Sequence, residues 1–212
     1  MRLDHISYVA SHDQISDVVN RIGSQIGTAF IDGGIHPKFG TRNFTAPLLE
    51  GKYIEVVCPM DHPATDLTPF GRAVKAKSNS GGGWLSWVIA TDSIEKIENK
   101  LDRKATIGVR KRPDGSELQW KQIGVLDTLD DYQNPFYIQW LVDLHPSKDG
   151  VATSSISKIK IVGSYTSVSK NIEVELDLGS TELQWINPEH IENETGIISI
   201  DFNVNNNLVT IT

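Results

Sequence analysis

One order of sequence patterns occurs twice in this chain, about 80 residues apart, and it restricts the fold more than any other feature. Leu3 to Ala10 reads as a short strand. Ser11-His12-Asp13-Gln14 then has the Ser-x-x-Gln form of a capping box. Ile15, Val18, Val19, Ile22 and Ile26 fall on one helical face, which Gly27 can close. Strand-like runs follow at about 28–33, at about 41–48 and from Lys52 to Met60. The second copy begins with a strand from Trp84 to Ala90. Asp92-Ser93-Ile94-Glu95 repeats the capping pattern, and Ile94, Ile97 and Leu101 continue it as a helical stripe. Ile107 to Lys111, Leu118 to Val125 and Phe136 to Val142 read as strands, the first two joined across the turn signal Pro113-Asp114-Gly115. Each copy is β-α-β-β-β. Such a repeat predicts halves that bury their faces against each other or within one continuous sheet system.

This reading divides the chain into a first unit (1–60), a connector (61–82), a second unit (83–147) and a C-terminal unit (148–212). The connector carries Pro63, Pro69, a short helical pattern around Phe70 to Lys77 and the run Ser78-Asn79-Ser80-Gly81-Gly82-Gly83. In the tail, Ile159 and Ile161 alternate with Lys158 and Lys160 as in a strand. Ile172, Val174, Leu176 and Leu178 alternate with Glu173, Glu175 and Asp177, which argues strand, whereas Val168, Ile172 and Leu176 form a helical ridge. The place of this stretch, between one strand and Leu183 to Ile186, favours the helix. Ile198 to Val204 alternates, and Asn205-Asn206-Asn207 can turn the chain into Leu208 to Ile211. The expected class is α+β: repeated βαβββ units whose curved mixed β-sheets form a cup, plus a shorter β-rich third unit.

Composition narrows the function. Twenty Lys and Arg against 27 Asp and Glu leave a net charge of −7, which disfavours nucleic acid as a partner. No run of about 20 apolar residues reads as a membrane span, and no secretory pattern opens the sequence. With Cys58 the one cysteine, no intrachain disulfide can form, so a cytoplasmic protein is expected, with Cys58 a buried, inert thiol. Gly-x-x-x-x-Gly-Lys, Cys-x-x-Cys, His-Glu-x-x-His and Gly-x-Ser-x-Gly are all missing, which removes support for phosphotransferase, zinc-finger and serine-hydrolase readings.

Several segments resemble the vicinal oxygen chelate superfamily, and within it the glyoxalase-like domain branch. They are Leu3-Asp4-His5-Ile6, the strand Lys52-Tyr53-Ile54-Glu55-Val56-Val57, and the segment Gly33-Gly34-Ile35-His36-Pro37-Lys38-Phe39-Gly40-Thr41-Arg42-Asn43. Pro135-Phe136-Tyr137-Ile138-Gln139-Trp140 and His145-Pro146-Ser147 complete the set. The resemblance covers residues 3–147. It implies a cup in which a divalent metal (Fe, Mn, Ni, Co or Zn) holds two neighbouring oxygens of a substrate, with ligands from the first and fourth strands of each unit and no organic cofactor. Carried over, it gives His5, Glu55 and, by matching Phe136-Tyr137-Ile138-Gln139 to Lys52-Tyr53-Ile54-Glu55, Gln139. The fourth place falls near Leu85 or Trp87, which cannot bind a metal.

Strand alternation from His5 and Glu55 places Ser7, Tyr53, Trp87 and Tyr137 in the same pocket. His36 and Asn43 are expected at the cup mouth. Glu55 doubles as the candidate proton-transfer group, burial raising its pKa. Trp84, Trp120, Trp140 and Trp185 read as packing, and Arg110-Lys111-Arg112 as a solvated hairpin tip or a guide for an anionic substrate. The expected function is a glyoxalase-like small-molecule protein, a metal-dependent lyase or isomerase acting on vicinal oxygens. The alternative is a binding module like drug-sequestering resistance proteins, which has lost the full metal site. Either is expected as a monomer or homodimer.

Overall fold

In the computed structural model, residues 1–169, 175–190 and 194–212 are described. The first unit is β1 (Arg2–Val9), α1 (Ile15–Ile26), β2 (Ile31–His36), β3 (Thr41–Leu48) and β4 (Lys52–Pro59). Two short helices, α2 (Pro63–Leu67) and α3 (Pro69–Asn79), lead into the second: β5 (Gly83–Ala90), α4 (Ile94–Leu101), β6 (Thr106–Lys111), β7 (Glu117–Ile123), α5 (Val125–Asp130) and β8 (Phe136–Trp140). The eight strands close into a barrel in the order β1-β4-β3-β2-β6-β7-β8-β5. Within each unit the first strand lies parallel to the last, β1 beside β4 and β5 beside β8.

The two seams between the units differ. Along one, β1 and β5 pair over nearly their full length. Along the other, β2 and β6 share the single pair Ile35↔Lys111. Gly34 makes that approach feasible, because its φ is +93° and a Cβ there would stand 1.9 Å from the Lys111 carbonyl oxygen. Gly33-Gly34 thus forms a β-bulge, with the β2–β3 register shifting between Asp32 and Gly34.

Neither capping box forms as expected. The α1 N-cap is Gln14, and the Ser11 hydroxyl donates to the Gln14 side chain (3.2 Å) instead of accepting from the backbone. Gly27 does close α1 in the left-handed conformation (φ 66°). α2 and α3 each start on a proline, and α3 is capped by the Thr68 hydroxyl, which accepts from Gly71 N–H (3.2 Å). This end of α3 buries Phe70, Ala73 and Val74 against the interior.

Apolar residues divide by strand face into two cores. Val9, Val57, Leu85, Val88, Leu118, Phe136 and Ile138 fill the barrel interior with Phe39 and Phe70. Ile6, Ile54, Trp87, Ile89 and Tyr137 point outward, where α1, α4 and a second sheet cover them. That sheet is the tail: β9 (Ser154–Val162), α6 (Tyr165–Ser169), β10 (Glu182–Ile186), β11 (Gly196–Val204) and β12 (Asn207–Ile211). The element order is again β-α-β-β-β, but the sheet order is β10-β9-β11-β12, so the first strand pairs with the second rather than the last. Its inner face adds Ile159, Ile161, Ile200 and Phe202 to the outer core. Of the expected helical ridge, Val168 lies in α6, Ile172 falls among residues 170–174 outside the described residues, and Leu176 is not helical, with Asp177 beside it bridging Arg2.

Candidate functional site

Two β-bulges decide which side chains meet inside the barrel. On β1, Leu3 pairs with Ile89 and His5 with Val88, so Asp4 is an extra residue. Strict alternation would put Leu3 and His5 on one face. The bulge sends Leu3 outward and lets His5 face the interior with Asp4 packed behind it. On β5, Ser86 pairs with Ser7 and Trp84 with Tyr8, which makes Leu85 extra. Leu85 then points inward and Trp87 outward.

His5, His36, Asn43, Tyr53 and Glu55 line one tight cavity of about 30 Å3 together with Arg110, Gln122, Ile138 and the rings of Phe70, Trp120, Phe136 and Trp140. That is room for a water or two. Ser7 joins from beneath, its hydroxyl donating to Glu55 Oε2 (2.9 Å), while Asn43 Nδ2 donates to Oε1 (2.6 Å). A wider groove of about 600 Å3 adjoins the cavity across Gln122, with Phe39, Ile107, Ile123, Val125 and Leu126 in its walls.

The three remaining expectations fail for geometric reasons. Trp87 sits in the outer core, its indole N–H donating to the Gln133 carbonyl (3.0 Å). Tyr137 and Gln139 also leave the cup, because the inward residues of β8 are Phe136, Ile138 and Trp140. Gln139 instead caps α4, accepting from Ile94 N–H (3.3 Å) and donating to the Asp92 carbonyl (3.1 Å). The pairings His5↔Tyr53 and Val88↔Phe136 show the error as a one-residue frame. Tyr53 corresponds to Phe136, so His5 and Glu55 correspond to Val88 and Ile138.

The group that organises the site was not singled out from sequence. Asp4 is fully buried and accepts from His5 Nδ1 (3.0 Å), His145 Nε2 (3.1 Å), Arg2 (2.7 Å) and Trp140 Nε1 (3.3 Å). Burial alone would raise its pKa, but the hydrogen bonds and charges of His145 and His5 hold the carboxyl far below the usual range. An ionised Asp4 fixes the proton of His5 on Nδ1 and leaves Nε2 free to act as acceptor or base. His145 is oriented in turn by Ser147, whose N–H donates to Nδ1 (3.2 Å). Tyr53 stacks on the His5 ring at 4.3 Å.

Glu55 behaves opposite to expectation. Its burial would raise the pKa, but His36, His5 and the donors Asn43 and Ser7 outweigh that and hold it below the ordinary value. It is an ionised anchor. Burial pushes His36 down to about 4, so it is neutral at pH 7, with Nδ1 engaged by the Thr41 hydroxyl (2.8 Å). Arg110, read from sequence as part of a solvated tip, is 2% exposed and lines the cavity. The other two members of that run do form ion pairs near the tip, Lys111 with Glu117 (3.6 Å) and Arg112 with Asp149 (2.5 Å). Cys58 is buried in the outer core, its thiol pushed up to about 11.

With this geometry in place, comparison adds the lineage. The family model described as "Glyoxalase-like domain" matches residues 3–174. The chain belongs to the glyoxalase-like domain family. Its paired βαβββ units are those of the vicinal oxygen chelate superfamily. Among solved structures, this glyoxalase-like domain is similar to a hypothetical protein from Staphylococcus aureus, at 19% identity and a TM-score of 0.66 over 96% of this chain and 91% of that one. A methylmalonyl-CoA epimerase from Mycobacterium tuberculosis matches at 10% identity and a TM-score of 0.43, over 65% and 85%. No curated protein sequence matches.

Superfamily members often use a divalent metal. The donor set here does not fit one. Among the described residues no three His, Cys, Asp or Glu side chains are grouped to hold an ion. Val88 and Ile138 occupy the second unit's positions, Gln139 is turned away, and both Glu55 oxygens already accept hydrogen bonds.

Proposed function

We propose that the cup binds a small molecule with vicinal oxygens and moves a proton on it by side-chain acid–base chemistry. The Asp4–His5 pair carries this reading. Asp4 fixes the tautomer of His5 and would stabilise the imidazolium formed once Nε2 accepts a proton. In the step proposed, Nε2 takes the proton from the carbon next to a carbonyl. The C–H electron pair becomes the enolate C=C bond, and the carbonyl π electrons pass to oxygen. Return of the proton to the opposite face of the same carbon inverts it; return to the former carbonyl carbon, with the neighbouring hydroxyl proton passing to the enolate oxygen, moves the carbonyl by one carbon. Neutral His36 and Tyr53 supply groups able to hydrogen-bond the developing oxyanion without first losing a proton. The aromatic rings exclude water. Ligands larger than the cavity would extend into the adjoining groove, which shares Gln122 with it.

The test is deuterium wash-in from D2O at the carbon next to the carbonyl of hydroxyacetone and pyruvate, followed by proton NMR. The wild-type protein is expected to accelerate exchange, and His5→Gln to lower that rate about 100-fold or more. Exchange no faster than in buffer, or unchanged in His5→Gln, refutes the proton-transfer reading. Saturable binding with no exchange would instead support a binding module without turnover, a reading that the apolar residues Val88 and Ile138 favour.

A further inference from the structure

Arg110 is the strongest unexplained group in the molecule. It is 2% exposed, lines the cavity, and forms no ion pair among the described residues. Its Nε and Nη2 meet no acceptor, and Asn43 Oδ1 beside it meets no donor. A buried guanidinium with idle N–H groups is costly, and a fold keeps one where something else completes it. Gly33 helps to make room for it. A Cβ at Gly33 would stand 3.0 Å from Arg110 Nη1 and 2.2 Å from Asn43 Oδ1.

We infer that Arg110 is the recognition residue for a carboxylate on the ligand. The two idle groups lie along one edge of the guanidinium, and two parallel N–H donors on that edge match the two oxygens of a planar carboxylate. Glu55, ionised in the same cavity, argues against a phosphate dianion, which would bring a second negative charge into a low-dielectric space. The tight cavity likewise suits a flat, singly charged head, and the aromatic rings suit an unsaturated or aromatic body. This inference rests on the cup being a small-molecule site, as proposed above, but not on the proton step.

Benzoate and its neutral isostere benzamide are the probes, with titration calorimetry for affinity and the 15Nε–1H resonance of Arg110 for the contact. Benzoate is expected to bind the wild-type protein at least about tenfold tighter than benzamide, as a charge-assisted hydrogen bond implies. It should also shift the Arg110 Nε–H resonance. Arg110→Gln should remove that preference, Arg110→Lys should keep part of it, and Gln139→Ala, outside the cup, should leave it intact. Equal affinity for the two probes, binding of neither, or benzoate affinity unchanged in Arg110→Gln overturns the inference. If Arg110→Gln does not fold, the wild-type pair and the Nε–H resonance decide the matter. Tight benzoate binding without proton exchange would sustain this inference while refuting the catalytic reading.

Discussion

Asp4→Asn tests the organisation of the site most directly. The carboxylate is fully buried and accepts from Arg2, His5, His145 and Trp140. Asparagine is nearly isosteric but has one accepting oxygen, and its amide N–H2 would face donors. At least one N–H group then loses its partner, that of His5 if the amide nitrogen takes the Oδ2 place, and the Arg2 charge loses its counterion. Breaking such a buried, charged network costs about 3–5 kcal/mol. In a chain of this length each kcal/mol moves Tm by about 2–4 °C. The assay is urea denaturation of wild type and variant from pH 7 downward, read by tryptophan fluorescence. Because the folded Asp4 pKa is depressed, its contribution is fully present above the unfolded value near about 4 and is lost as pH falls toward the folded one. The gap between wild type and variant should therefore narrow on acidification. A gap under about 1 kcal/mol at pH 7, or one that stays constant into acid, refutes the account of Asp4 as an ionised hub.

The His5→Gln exchange experiment and the benzoate and benzamide comparison test the chemistry itself. Two further substitutions test the frame around the site. Gly34→Ala should destabilise the β2–β6 seam severely, since a Cβ would stand 1.9 Å from Lys111 O at a φ of +93°; a thermal midpoint within a few degrees of wild type would contradict this. Gln139→Ala should cost about 0.5–2 kcal/mol through loss of the α4 cap, with benzoate affinity unchanged; a large loss of ligand affinity would return Gln139 to the cup.

The repeated order of elements and the helix faces were legible in the sequence, because 3.6- and 2-residue periodicities survive in any chain that buries one face of each element. His5 and Glu55 came instead from the family resemblance, with Ser7 and Tyr53 placed by strand alternation from them. Period 2 fails where a bulge inserts a residue, and bulges leave no dependable mark in sequence. Leu85 therefore hides the outward turn of Trp87, and Asp4 gives no sign that it will pack behind His5. In β8 the failure came from register, since a one-residue frame separates Gln139 from the position that lines the cup. Arg110 looked like part of a solvated charge run because its burial depends on barrel closure between strands far apart in the chain. Sequence determined the units and their apolar faces, which are local properties of the polymer. Tertiary structure alone decided which polar groups share one enclosed space, because non-local strand pairing sets the register, the burial and hence the charge state of each.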